Sequence, residues 1–276
     1  MKNLVSASWL WKNIDDKNLV VIDCRFSVND SEYGKKIFST GHIKNSVFCD
    51  LDKDAVGIPE EHGGARPVPD LEQLKLTLSK LGIDKNSTIV IYDDLIHSSA
   101  RLWWTLKYIG HSNCFVLDGG LNGWSKMGYP LTEEVTRPKQ TGGIEISLND
   151  VIYCDLNYVK KRKDLKEVVL IDGRINDRFT GKIETLYKKA GHIPGAVNFD
   201  CRNNFNDGYL LSGNSLSKLW NWVKPYSEII NYCGSGIAAA VNFLVLDEIG
   251  YSSGLYIGGL SDWISYENNP IDQSNS

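Results

Sequence analysis

The chain has 276 residues, of which 42% are hydrophobic and 23% are charged, enough apolar side chains for one large or two ordinary folded domains. A net charge of −4 and a pI near 5.8 argue against a dedicated nucleic-acid-binding protein. The N-terminal residues lack the apolar core of a signal peptide, and no apolar run approaches the length of a membrane span. We therefore predict a cytoplasmic protein without a membrane partner.

The cysteines indicate a reduced protein rather than a disulfide framework. They are spread along the chain without a CxxC pair, at Cys24, Cys49, Cys114, Cys154, Cys201 and Cys233. Cys24 and Cys114 fall at or near predicted strands, and Cys154 falls on a predicted helix. No Cys/His pair has the spacing of zinc ligands, so neither a metal nor an organic cofactor is predicted.

In chain order, the first half has predicted strands at 19–23, 88–92 and 113–117 and predicted helices at 70–81 and 98–109. The second half has strands at 168–172, 229–232 and 254–257 and helices at 215–223 and 237–249. Near-continuous apolar strands that alternate with helices are typical of a mainly parallel sheet covered on both faces. We predict an α/β fold.

The two halves carry the same motifs in the same order. The Asp-x-Arg motif at Asp23 recurs at Asp172, Gly-His-Ile at His42 recurs at His192, and Gly-Gly-Leu-x-x-Trp at 119–124 recurs at 258–263. The separation between matches falls from about 150 to about 140 residues, which places an insertion in the first half near 50–69. This duplication predicts a first domain at 1–135, a polar linker at 136–147 and a second domain at 148–276.

Residues that recur in both halves are expected to be structural. The Asp-x-Arg motifs predict a buried ion pair at the end of one strand in each half, and the two histidines predict hydrogen bonds that hold the entry to a strand. Cys233 has no such counterpart, because the matching position in the first half is Asp93.

Cys233 stands where the strand before it turns into a helix. Gly234 and Gly236 free the backbone to curl, so that several N–H groups can point at one spot, and the helix dipole adds positive potential there. Such a site lowers the pKa of a thiol and stabilises an anionic sulfur species. We predict a sulfur nucleophile rather than a small buried core cysteine.

These motifs resemble the rhodanese family of sulfurtransferases, and specifically its tandem two-domain members, over nearly the whole chain. Cys233-Gly234-Ser235-Gly236-Ile237 is similar to the Cys-Gly-Ser-Gly-Val loop of 3-mercaptopyruvate sulfurtransferases. Thiosulfate-specific members usually carry Arg and Lys within this loop. The resemblance implies a rhodanese-like fold in each half, with 1–135 non-catalytic and 148–276 catalytic. The loop N–H groups from Gly234 through Gly236 and Ile237 to Ala238 would then hold the transferred sulfur.

The resemblance also implies residues that bind the donor. Arg178, in an Arg-aromatic-x-Gly segment, matches an arginine that binds the anionic group of the donor, although a surface arginine is the alternative. A second arginine expected shortly before Gly191 is absent, and Lys188 is the candidate substitute. The loop therefore favours 3-mercaptopyruvate, while the missing arginine leaves thiosulfate open as the donor.

Ser235 is predicted to hydrogen-bond the donor or acceptor sulfur. In 3-mercaptopyruvate enzymes a His and an Asp from the long loop of the first domain are coupled to this serine, and the matching residues here are His62 and Asp52. This set would relay protons near neutral pH. A loop histidine without a catalytic role is the alternative.

The resulting prediction is a sulfurtransferase that moves sulfur from 3-mercaptopyruvate or thiosulfate to cyanide or a thiol, with a thioredoxin-like protein as one candidate acceptor. A phosphatase of the same fold would need an arginine where Ala239 stands, which excludes phosphate chemistry. The remaining alternative is a rhodanese module that carries sulfur or binds a partner without turnover.

Overall fold

A computed structural model describes residues 1–138 and 143–273 of the chain. Within these ranges the strands are β1 (Leu4–Val5), β2 (Leu19–Asp23), β3 (Ser46–Phe48), β4 (Thr88–Tyr92), β5 (Cys114–Leu117), β6 (Tyr153–Cys154), β7 (Val168–Asp172), β8 (Val197–Asn198), β9 (Phe205–Asn206), β10 (Tyr209–Leu210), β11 (Glu228–Tyr232) and β12 (Gly254–Tyr256). The helices are α1 (Ala7–Asn13), α2 (Tyr33–Thr40), α3 (Leu51–Asp54), α4 (Leu71–Lys80), α5 (Ser98–Tyr108), α6 (Gly120–Lys126), α7 (Leu156–Arg162), α8 (Asn176–Phe179), α9 (Gly213–Leu219), α10 (Ile237–Glu248) and α11 (Gly259–Trp263).

The described residues form two compact units. Among the described residues, the first comprises Met1–Gly57, 68–138, 143–149 and Asp207–Leu210, and the second comprises Ile58–Pro67, Asp150–Asn206 and 211–273. The insertion predicted in the first half is thus divided, because residues 58–67 pack with the second unit. Part of the predicted linker, residues 139–142, lies outside the described residues, as do residues 274–276 of the predicted second domain.

Each unit is built on a five-stranded parallel sheet with the same strand order. The order is β1-β5-β4-β2-β3 in the first unit and β6-β12-β11-β7-β8 in the second. The register is also repeated, since Asp23 pairs with Tyr92 and Asp172 pairs with Tyr232. The sheets therefore confirm the predicted α/β fold and its duplication. The loop at Cys233 leaves the carboxyl end of the central strand β11, which is the usual position of sites in parallel sheets.

The predicted ion pairs are buried beside this sheet edge in both units. Arg25 reaches Asp23 at 2.7 Å, and Arg174 reaches Asp172 at 2.7 Å, with almost no exposure of either partner. Each guanidinium also donates to a backbone carbonyl, at Gly41 and Gly191 respectively. The carboxylates are held by bonds from several directions, which is what a buried charge requires. The structural interpretation of these motifs is confirmed.

Two details of the predicted elements are wrong. Cys154 lies on the edge strand β6, paired with β12, and not on a helix. The helix predicted at 215–223 is broken into α9 and a 3₁₀ turn at Asn221–Val223. Edge strands of two residues are too short to produce a sequence pattern of their own. None of the helices in the described ranges combines the length and apolar character needed to cross a bilayer.

Candidate active site

The Cys233 side chain sits at the junction of β11 and α10 and is only 3% exposed. The loop that follows is tied to the start of α11. The Cys233 carbonyl accepts a hydrogen bond of 2.7 Å from Leu260 N, and the Gly234 carbonyl accepts one of 3.0 Å from Ser261 N. These bonds turn the loop carbonyls toward α11, so the curvature of the loop is fixed by the neighbouring helix.

The two glycines of the loop are required by its surroundings. Gly236 has φ +80, and a Cβ there would lie 2.8 Å from the carbonyl oxygen of Ile257. A Cβ on Gly234 would lie 2.6 Å from the hydroxyl oxygen of Tyr187. A side chain at either position would clash, and at Gly236 it would also strain the backbone. The loop conformation therefore depends on both residues.

The equivalent loop of the first unit is filled by a carboxylate. Asp93 accepts hydrogen bonds of 2.6–3.2 Å from the backbone N–H groups of Ile96, His97, Ser98 and Ser99, and from the hydroxyls of Ser98 and Ser99. This arrangement demonstrates that a loop of this kind binds a negative charge at the strand end.

In the second unit Cys233 stands at the position equivalent to Asp93. Within the described part of the chain, the N–H groups of Gly236, Ile237 and Ala238 have no hydrogen-bond acceptor. We call these three groups the amide cradle. They begin a helix of 12 residues, so its dipole adds to their positive potential. Unpaired N–H groups at the start of a helix can bind an anion.

A cavity of about 540 Å³ lies beside the Asp93 loop in the first unit. Its lining includes Asp93 and Asp94, whose charge disfavours an anionic donor. Burial raises the pKa of Asp94 above its usual value. The predicted nucleophile, Cys233, lies in the other unit, so the size of this cavity does not locate the chemistry.

Residues 58–67 are anchored on the second unit by backbone contacts. Gly63 N donates to Asp262 Oδ1 at 2.8 Å, and Ala65 N donates to Ser261 Oγ at 2.9 Å. Gly64 is pressed against Gly258, where a Cβ would lie 2.5 Å from the carbonyl oxygen. The segment is therefore held along α11. The residue that follows Ala65 is directed at the Cys233 loop.

That next residue is Arg66. Its Nη1 donates a hydrogen bond of 3.2 Å to the hydroxyl of Ser235, which is 7% exposed. His62, from the same segment, instead bonds through Nδ1 to Ser265 Oγ at 2.8 Å and stacks on Tyr266 at 3.9 Å. The structure thus places an arginine, and not His62, against Ser235.

Asp52 lies on α3 of the first unit, where its N–H bonds to Asp50. The coupling of Asp52 and His62 to Ser235, and the roles drawn from it, stay predictions.

Arg178 is engaged by a buried carboxylate. Its Nη2 lies 2.8 and 2.9 Å from the two oxygens of Glu184, whose side chain is 3% exposed. Arg174 approaches the same carboxylate at 3.5 Å. Lys188 is exposed to solvent. Binding of the donor by Arg178 or Lys188 stays a prediction, and Arg178 would have to share its guanidinium with Glu184.

Tyr187 is an aromatic residue in contact with the Cys233 loop. Its hydroxyl lies against Gly234, and its ring faces the Arg178 guanidinium at 5.4 Å. Burial raises the pKa of Tyr187 above its usual value of 10.0, and the charge of Cys233 adds to the effect. Hydrogen bonding with Ser235 and the charges of Arg178 and Arg66 act in the opposite direction. The phenol is therefore protonated at neutral pH.

The thiol of Cys201 lies close enough to Cys233 for the two groups to interact electrostatically. Burial raises the pKa of Cys201, and the charges of Asp200 and Cys233 add to the rise. Cys201 is thus a neutral thiol.

No cluster of three or more His, Cys, Asp or Glu side chains within residues 1–138 and 143–273 has the arrangement of a metal site.

Sequence reasoning missed Arg66, Tyr187 and Glu184. The first lies more than 160 residues from Ser235 in the chain, and only its place in the insertion could have drawn attention to it. Tyr187 lies in the interval before Gly191 where an arginine was expected, and Glu184 directly precedes that interval, so the hydroxyl and carboxylate side chains there were the available signal.

Comparisons with known proteins agree with the duplication. A family model described as a rhodanese-like domain matches residues 6–127 and again 155–266. The chain is 32% identical to a probable 3-mercaptopyruvate sulfurtransferase of Pseudomonas aeruginosa, with 97% of each chain covered. It is 31% identical to a putative thiosulfate sulfurtransferase, SseB, of Mycobacterium tuberculosis, covering 91% of this chain and 89% of that relative. A crystal structure of the 3-mercaptopyruvate sulfotransferase SseA from Escherichia coli superposes with a TM-score of 0.80 at 26% identity, covering 95% and 100% of the two chains.

Proposed function

This chain is a sulfurtransferase of the rhodanese family, and we propose that Cys233 carries the transferred sulfur as a persulfide between a small donor and a thiophilic acceptor. Each half has the rhodanese fold, but a cysteine stands at the loop only in the second. The contrast between the two loops supports the assignment. The first loop binds the Asp93 carboxylate, while the amide cradle of the second has no acceptor among the described residues.

The first half-reaction begins with the Cys233 thiolate. It attacks the transferable sulfur of the donor, and the bond from that sulfur to the rest of the donor breaks. Pyruvate leaves from 3-mercaptopyruvate, or sulfite leaves from thiosulfate. The new persulfide bears a negative charge, which the N–H groups of Gly236, Ile237 and Ala238 stabilise as an oxyanion hole stabilises oxygen.

In the second half-reaction an acceptor attacks the outer sulfur of the persulfide and regenerates the Cys233 thiolate. Cyanide or a thiol serves as acceptor, and a thioredoxin-like protein is one candidate. Because the two substrates react in turn with one covalent intermediate, ping-pong kinetics are expected. A cytoplasmic location, where thiol acceptors are reduced, belongs to this proposal.

The donor is proposed to be 3-mercaptopyruvate or thiosulfate. The loop residues Gly234 and Ser235 favour 3-mercaptopyruvate, because the loop itself offers no basic side chain to a doubly charged donor. The anionic group of the donor is then recognised by Arg178 outside the loop, with Lys188 as a weaker, exposed cation.

One experiment tests the function and separates it from a carrier without turnover. The protein is incubated with excess donor and cyanide, and thiocyanate and pyruvate or sulfite are measured over many equivalents of enzyme. Continued turnover is expected, and intact-mass analysis after donor alone should show one added sulfur atom that is absent from Cys233→Ser. A single equivalent of product would support the carrier, and normal turnover by Cys233→Ser would refute the persulfide.

A further inference from the structure

Tyr187 lies beside the loop that carries Cys233. Its ring packs against the apolar core of the second unit, while its hydroxyl points toward the loop. A Cβ on Gly234 would lie 2.6 Å from the hydroxyl oxygen and 2.9 Å from ring atom Cε2. The phenol therefore occupies the space that a side chain at position 234 would need.

The hydroxyl of Tyr187 lies among groups with opposing effects on its proton. Ser235, whose hydroxyl accepts a hydrogen bond from Arg66, favours loss of the proton, as do the charges of Arg178 and Arg66. Burial and the charge of Cys233 raise the pKa of Tyr187, so the group remains a proton donor throughout the neutral range. A phenol in this state can give up its proton only to a strong base formed during the reaction.

The two candidate donors differ in whether they produce such a base. Thiosulfate releases sulfite, a stable anion that needs no proton. When the C–S bond of 3-mercaptopyruvate breaks, its electron pair remains on carbon, and the product is the enolate of pyruvate. The enolate must gain one proton at its methylene carbon to become pyruvate.

We propose that the Tyr187 hydroxyl donates this proton to the carbon of the leaving group, an inference that rests on the sulfur transfer at Cys233 proposed above. The phenolate then recovers a proton from the sulfur that came from the donor thiol. The proton of the donor thiol thus ends on carbon, the persulfide is left as an anion on the amide cradle, and no further acid is consumed. Ser235, which Arg66 holds by a hydrogen bond, lies beside the phenol.

The test compares the two donors in Tyr187→Phe, which removes only the hydroxyl. General acid catalysis contributes about 100-fold or more, so kcat with 3-mercaptopyruvate should fall by about that factor. Turnover of thiosulfate should stay close to that of the unmodified protein, because its leaving group needs no proton. Tyr251→Phe is the matched control. It removes a phenol beyond the C-terminal end of α10, about 18 Å along the helix from the loop.

The possible results separate the two proposals. Equal losses with both donors would make Tyr187 a structural support of the loop and overturn the inference, as would unchanged turnover of 3-mercaptopyruvate. A protein that used thiosulfate alone would also overturn it while leaving sulfur transfer intact. Failure of the unmodified protein to form a persulfide with either donor would refute the proposed function itself.

Discussion

Arg66 donates a hydrogen bond of 3.2 Å to the hydroxyl of Ser235, across 169 positions of the chain. A guanidinium donates hydrogen bonds and accepts none, so Arg66 orients the serine without taking a proton from it. A histidine at this point would act as a base near neutrality. Arg66 therefore orients the hydroxyl of Ser235, and a proton relay through His62 stays a prediction.

Replacement of Arg66 by methionine should lower kcat/KM for the donor by about 10- to 100-fold. A hydrogen bond from a charged group contributes about 1.5–3 kcal/mol, and about 1.4 kcal/mol corresponds to a factor of ten. Steady-state kinetics measure the effect. Arg162→Met is the matched control, because this arginine pairs with Glu228 at the opposite end of β11. Equal losses in both variants would show that the effect is not specific to Ser235.

Gly236→Ala should abolish most of the activity, since φ +80 and the approach of Ile257 both oppose a side chain. The amide cradle would be displaced from Cys233, and the strained backbone would cost about 1–2 kcal/mol of stability. Gly250→Ala at the other end of α10 separates these effects. Its φ is +88, but nothing lies within 4 Å of a Cβ there. It should lose similar stability in a urea titration and keep its turnover. Retained turnover in Gly236→Ala would contradict the role of the amide cradle.

The central strands could be predicted from the sequence because their apolar runs are buried on both faces. The bounds of β2, β4 and β7 match the predicted ranges. The position of Cys233 between a strand and a helix could be predicted because the strand, the glycines and the helix are contiguous in the chain. Arg66 could not, because its contact with Ser235 depends on where the 58–67 segment packs. Arg178 and Glu184 are close in the chain, but their pairing could not be predicted, because a sequence does not show whether a carboxylate is buried or exposed.

Asp93→Ala should destabilise the first unit strongly. The buried carboxylate accepts four backbone N–H groups and two hydroxyls, and its removal would leave these donors without an acceptor. Buried donors without partners cost about 1–3 kcal/mol each, so a loss of at least about 3 kcal/mol is expected in urea unfolding. Asp93→Asn keeps one acceptor oxygen and should show an intermediate loss. Equal stability of all three proteins would mean that the loop does not depend on a bound charge.

His111 should make the first unit sensitive to acid. Its side chain is 6% exposed, its Nε2 lies 3.0 Å from the carbonyl oxygen of Ser87, and burial lowers its pKa below the usual value of 6.5. Below pH 6.5 the His111 ring is protonated more readily in the unfolded chain than in the folded protein. The free energy of unfolding therefore falls as the pH drops. Above pH 6.5 both states hold a neutral ring, and the contribution is constant. Urea unfolding at about pH 7.5 and about pH 5.5 should therefore show a larger acid loss for the unmodified protein than for His111→Gln, which has no titrating ring. Parallel losses in the two proteins would show that other groups, and not His111, govern the acid response.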